Sequence, residues 1–175
     1  MRMMRNRLVP VLAALAMLAA WPATAAERVV ELELDAPKLR VTNLAGSVRI
    51  VPGDAGLLRA TIRSDDADLG DAVRIDQERD GDTLSLTVRL PGRLDEVRYD
   101  DDQFRRLDVR LEYEGDRIRV RSNDGQRLRV DLELQLPAGA LLELRQGVGE
   151  ISAAGVDADL NLSLNYGRIR ATDGQ

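Results

Sequence analysis

The densest set of side chains able to do chemistry lies in "YDDDQF", where Asp100, Asp101 and Asp102 follow one another and Asp95 and Glu96 stand just before them. Carboxylates crowded on a loop are what a hard cation such as Ca²⁺ takes as oxygen ligands. The spacing matches neither an EF-hand nor the glycine-rich nonapeptides of calcium-binding β-rolls. The three aspartates are therefore candidates for calcium only as a second reading, the first being a solvated acid run, and neither a metal nor a cofactor is assigned. Tyr99 and Phe104 flank the acids. An exposed aromatic pair could offer its ring faces to a sugar, so the loop carrying Tyr99 and Phe104 is a candidate binding loop. The plainer expectation is that the two rings pin the loop to the rest of the fold.

The inventory excludes much other chemistry. The chain has no His and no Cys, which removes the commonest general base, the usual zinc ligands and any disulfide framework. No catalytic residue is assigned. A β-helix polysaccharide lyase, built from loop carboxylates and a basic residue, is the enzyme alternative; the composition admits it, but no spacing supports it. The formal charge is -5. The first 25 residues contribute three Arg and no acid, so the remainder is more negative still and a poor partner for nucleic acid. The Arg residues alternate along apparent strands, as in "RIRVRS" and "RLRVDLELQ". That pattern is expected of outward ladders paired with Asp and Glu, rather than of an anion-binding face.

The start of the chain reads as an address. Arg2, Arg5 and Arg7 precede the apolar run "LVPVLAALAMLAA" and the small-residue signal Ala23-Thr24-Ala25. These are the parts of a secretory signal peptide, and the run is too short for an ordinary membrane span. Residues 1–26 are expected to be that signal. Residues 27–175 are expected to form one exported all-β domain, at the cell surface or in the periplasm, with no membrane span after cleavage.

The elements that must position the loop have a period of two. "VELEL", "LSLTVRL", "LDVRLEY" and "LRVDLELQL" alternate apolar with polar residues, as strands with one buried face do. Asp80-Gly81, Gly115 and Asp124-Gly125 mark turns. Pro91 to Arg106 breaks the alternation and is expected to be a surface loop with at most one helical turn, and "SNDGQ" is expected to join two paired strands. A twelve-residue phrase also occurs three times without a gap: "LRVTNLAGSVRI", "LELRQGVGEISA" and "LNLSLNYGRIRA". Each copy has Leu first, an aliphatic third, Gly eighth and Val or Ile tenth. Similar residues at equivalent positions are expected where one turn of chain stacks on the last. Gly46, Gly149 and Gly167 would then be stacked corners. The fold expected is a β-solenoid at the end of the chain with antiparallel hairpin strands in its N-terminal and middle parts; the alternative is an antiparallel β-sandwich.

With "VTNLAGSVRIVPGD", the strand ending at Leu136-Pro137 and the Gly-x-Ile repeats after it, the sequence resembles the bacterial putative-adhesin domain family. The resemblance covers the chain after its signal. It implies a β-solenoid of unknown function in exported proteins, with no catalytic residues to carry over. Such domains run through several more rungs, so the domain is expected to continue past Gln175. The function expected is non-catalytic adhesin-like binding or scaffolding in the bacterial envelope, with a glycan or protein ligand. Amino-terminal sequencing of the exported protein should read Ala26 or Glu27 first; an intact Met1 on soluble cytoplasmic protein would refute export.

Overall fold

The computed structural model describes residues 26–92 and 94–172. The expected signal peptide lies outside the described residues apart from Ala26, which opens the first strand. The elements run β1 (Ala26–Glu33), β2 (Lys38–Pro52), β3 (Leu57–Ser64), α1 (Ala67–Ala72), β4 (Arg74–Asp80), β5 (Thr83–Arg89), β6 (Glu96–Arg98), a 3₁₀ turn (Asp102–Phe104), β7 (Asp108–Tyr113), β8 (Asp116–Arg121), β9 (Gln126–Leu136), β10 (Leu141–Ala154) and β11 (Asp159–Thr172). The class is all-β, as the alternation requires. The short helix α1 has no counterpart in the sequence reading, because six residues are too few to show a helical stripe. Asp66 fixes its start by accepting hydrogen bonds from the N–H groups of Asp68 and Leu69.

The three copies of the phrase occupy β2, β10 and β11, which are adjacent and parallel. Leu39, Leu142 and Leu160 share one register position, and Gly46, Gly149 and Gly167 share another. β2 has two further neighbours. Lys38–Thr42 pair with Thr83–Thr87 of β5, and Val48–Pro52 pair with Leu132–Leu136 of β9. Its interior residues change phase between these stretches: Leu39, Val41 and Asn43 are buried on one side of the change, and Val48 and Ile50 on the other. A strand that keeps one face inward while its phase flips has bent.

Chain length demands the same bend in β10. Leu141 pairs with Asp159 and Ala154 with Thr172, so the chain must return from Ala154 to the start of the next strand in five residue steps, which span at most about 19 Å. A straight strand from Leu141 to Ala154 would be about 43 Å long. β10 must therefore fold back toward its own start, and the glycine position is where it does so. Gly46, Gly149 and Gly167 have φ of 151°, 133° and 146°, values that L side chains rarely adopt. Here the backbones also touch: a Cβ on Gly149 would lie 1.7 Å from the carbonyl oxygen of Gly46, and one on Gly167 1.8 Å from that of Gly149.

Antiparallel strands flank this stack. β1 pairs with β3 and β3 with β9; β4 and β5 form a hairpin through Gly81, and β7 and β8 another through Glu114-Gly115. The result is a mixed, unclosed sheet around one core, and a sandwich-like description of its two bent halves fits as well. Two local expectations are corrected. β8 and β9 are not a hairpin across "SNDGQ", because β6 lies between them, parallel to both. The segment Pro91–Arg106 is accordingly more than a surface loop. Its "EVRY" was too short to register as a strand, yet Val97 and Tyr99 are buried.

Gly149→Val should cost about 3 kcal/mol or more, the scale of severe core disruption, measured by urea unfolding. Gly92→Ala, where an added Cβ meets nothing within 4 Å, should be close to neutral. Equal, small effects at both sites would refute the close stacking of the glycines.

Candidate functional site

The acidic loop is positioned by the edge that β6 fills. The Tyr99 N–H donates to the carbonyl of Arg121 at 2.8 Å, extending the β6–β8 ladder by a residue, and Tyr99 itself is buried. Asp101 then caps the 3₁₀ turn by accepting from the Gln103 N–H at 2.9 Å. The Phe104 ring, half-buried, lies 5.8 Å from that of Tyr99 and 5.9 Å from that of Tyr166 on β11. A chain of three aromatic rings thus ties the loop to the outermost strand. With Tyr99 inside the core, the pair Tyr99 and Phe104 does not present two open ring faces; Tyr166 is the exposed ring of the three.

Arginines meet the acids. Asp100 lies 3.4 Å from both Arg98 and Arg127, and Asp101 lies 3.5 Å from Arg129. Arg129 stands over the Tyr99 ring, 5.6 Å from its centroid, and donates from Nε to both oxygens of Asp131 at 2.8 Å. Burial is the largest single influence on Arg129 and works against its charge, but the hydrogen bond to Asp131 and the negative charges of Asp131 and Asp101 together outweigh it, so its pKa is raised and the guanidinium stays cationic. Asp131 also accepts from the N–H and the hydroxyl of Ser47, each at 2.7 Å, and from Arg63. One carboxylate on β9 therefore joins β2 and β3, through charge-assisted bonds that are stronger than neutral ones.

Among the described residues, no group of three acids is gathered tightly enough to hold a metal ion. Asp100 and Asp101 are turned to guanidinium partners. Asp100, Asp101, Asp102, Arg105 and Arg129 line one open cleft of ≈ 770 Å³. The cleft and the glycine column adjoin: the Tyr99 hydroxyl lies 3.3 Å from the place a Cβ on Gly149 would take, and Gln103 reaches Glu150 at 3.5 Å.

The sequence reading missed the Arg129–Asp131 pair, which looked like any outward alternation. It also missed two amides. Asn43 and Gln146 occupy the fifth position of their copies and are buried; Asn43 donates to the carbonyl of Val130 at 2.9 Å, and Gln146 to that of Gly46 at 3.0 Å. These are carbonyls that the next glycine abuts. A polar residue at an otherwise apolar position was the available signal.

No protein-family model matches the chain, and no curated protein matches it. Solved structures do. A "putative cell adhesion protein" from Clostridium sporogenes is similar over 84% of this chain and 58% of its own, at 16% identity and a TM-score of 0.45. A "putative adhesin" from Bacteroides fragilis is similar over 85% and 56%, at 9% identity and a TM-score of 0.35. A "putative lipid binding protein" from Parabacteroides distasonis is similar over 85% and 59%, at 15% identity and a TM-score of 0.33. The chain thus spans somewhat over half the length of these structures. Among the described residues, no helix is long and apolar enough to cross a membrane.

Burial opposes the phenolate form of Tyr99 and of Tyr113 and raises both pKa values above the ordinary range. Folding therefore favours the neutral phenols: their contribution to stability is complete below the unfolded pKa of about 10 and is lost as pH rises above it. In an alkaline titration followed by tyrosinate absorbance and circular dichroism, these two residues should ionise in the same transition that unfolds the strands. Phenolate signal from all three tyrosines with the strand signal intact would refute their burial.

Proposed function

We propose that this chain is a non-catalytic exported protein of the bacterial envelope or surface, a β-solenoid in which β10 and β11 are successive turns, and that it binds a glycan or protein ligand, or scaffolds one, through its long outer faces. The observation that carries the reading is the in-register stack of β2, β10 and β11 with ladders of opposite charge on its outside. Arg40 pairs with Glu143 at 3.1 Å, Arg145 with Glu143 at 2.8 Å, and Arg170 with Glu150 at 3.1 Å. Stacked strands set polar side chains, here of alternating sign, at a regular interval of about 4.8 Å, a surface suited to extended ligands. The negative charge of the chain argues against nucleic acid as that ligand.

A second reading has one observation in its favour. The cleft beside the 3₁₀ turn brings Asp100, Asp101 and Asp102 together with Arg105 and Arg129, the residue types that a lyase acting on an anionic polysaccharide uses. A glycan array probed with the purified protein should give saturable binding to a surface glycan, and incubation with anionic polysaccharides and Ca²⁺ should release no unsaturated product. Turnover in that assay, abolished by Arg129→Gln, would establish the lyase and overturn the binding role.

A further inference from the structure

One cleft of the fold has an apolar floor, an acidic rim and no cation in its lining. The loop from β1 to β2 and the turn from β2 to β3 form its walls, and the end of β9 closes it, around an open volume of ≈ 760 Å³. Backbone bonds hold the walls in place. The Leu34 N–H donates to the carbonyl of Gly56 at 2.9 Å, and the Leu141 N–H donates to that of Pro37 at 2.9 Å. The two walls meet closely: a Cβ on Gly56 would lie 2.5 Å from the carbonyl oxygen of Leu34. Pro37 and Pro137 fix φ at two places in the lining. The cleft is therefore preformed, and a ligand that fits it need not order it.

Its apolar lining stands where the outside of a sheet is ordinarily polar. Leu58 is buried, so Leu57 alternates outward. Leu57 is in register with Glu33 on one side and with Gln135 on the other, and Gln135 is in register with Val51 beyond it. Two residues further along these strands, the same face carries a ladder of charge, with Arg59 and Glu31 at 3.6 Å and Arg49 and Glu133 at 3.8 Å. At the cleft the ladder gives way to leucine and valine, both half-buried, with Ala36 and Ala55 close by.

The rim has the opposite character. Glu33, Asp35 and Asp54 are exposed, and none of them makes an ion pair among the described residues. Arg79 reaches Asp35 but donates to its backbone carbonyl, not its carboxylate. The acidic cleft beside the 3₁₀ turn is lined by Arg105 and Arg129 as well, whereas no Lys or Arg lines this one. Three carboxylates around an apolar floor set up a local negative potential that a cationic ligand answers. A metal ion or a polyamine would meet the rim and leave the floor uncovered. A polypeptide with basic residues on either side of an aliphatic one meets both. Continuation of the stack does not fill this place: in the order β11-β10-β2-β9, β10 and β2 stand between β11 and β9, and a strand added to β11 would lie on their far side.

We infer that this cleft is a docking site for a basic segment of a partner polypeptide, which sets an aliphatic side chain on Leu57 and Ala55 and Lys or Arg against Glu33, Asp35 and Asp54. It is a separate surface from the long charged faces proposed above to bind an extended ligand, and its test is independent of theirs.

The test titrates a labelled peptide, KLKLK, into the full chain with fluorescence anisotropy as readout and amide chemical shifts to locate the contact. Binding should saturate, with shift changes centred on Ala36, Ala55 and Leu57. KSKSK, which keeps the charge and loses the apolar side chains, should bind about tenfold more weakly or worse, and ELELE should not bind. Asp35→Asn with Asp54→Asn should weaken KLKLK about tenfold, the scale of two exposed ion pairs. Asp68→Asn with Asp71→Asn changes the net charge equally on α1, which follows the other end of β3, and should leave binding unchanged. All four positions are exposed, so the fold is not at risk. Absence of saturable binding, equal binding of KSKSK, or equal weakening by the α1 pair would overturn the inference. So would self-association of the chain that Asp35→Asn with Asp54→Asn abolishes, which would give the cleft to a second copy.

Discussion

The backbone contact at the glycine column is the constraint on which the rest depends. Three long strands bend at one level, and at the bend the carbonyl of each lies so near the next backbone that no side chain can stand between. That contact lets the Leu-rich arms before the bend and the Val, Ile and Ala arms after it pack into a single core. It also decides where every other element goes. β5 meets β2 before the bend and β9 meets it after, so the two flanking groups of strands attach to different arms of the same residues. The buried amides belong to this arrangement. A bend takes backbone carbonyls out of the regular ladder, and buried carbonyls need donors; Asn43 and Gln146 supply them from within the strand above.

The acidic loop depends on the same bend from outside. Its 3₁₀ turn sits against the corner of β10 through Tyr99 and Gln103, and its carboxylates are held by Arg98, Arg127 and Arg129. Acids that look redundant as a run are divided among distinct guanidinium groups, and the aspartate that organises most contacts, Asp131, is not in the run. Charge density along a sequence is thus a poor guide to charge geometry in a sheet, where neighbours come from strands far apart in the chain.

Class, strand alternation and the alignment of the three phrases were legible in the residues, because interior positions in a stack repeat in type. Glycine at the eighth position was legible for the same reason. The seating of β6 was not. Three residues among Pro, Gly and Asp show no period, and only the unfilled edges of β8 and β9 give "EVR" a place. α1 escaped notice because a turn and a half of helix carries no stripe. The pairing of Arg129 with Asp131, and of both with β2 and β3, depends on lateral neighbours that a linear pattern does not name. Tyr99 illustrates the difference: beside three aspartates it admits both a ligand surface and, more plainly, an anchor for the loop, and only as the residue after β6 does it alternate into the core.

The order of strands has a kinetic consequence. β2 lies between β9 and β10, and its pairing with β10 joins residues about a hundred positions apart, 103 for Arg40 and Glu143. β11 reaches β10 across a short connection. Loop closure for the first contact carries a large entropic cost before any of its contacts form, whereas the second is nearly local. Bringing the first copy of the phrase to the second therefore costs more loop-closure entropy than bringing the third to the second. Until β2 is captured, the sticky arms of β10 have no lower neighbour, and the half-formed molecule exposes strand edges on two sides at once.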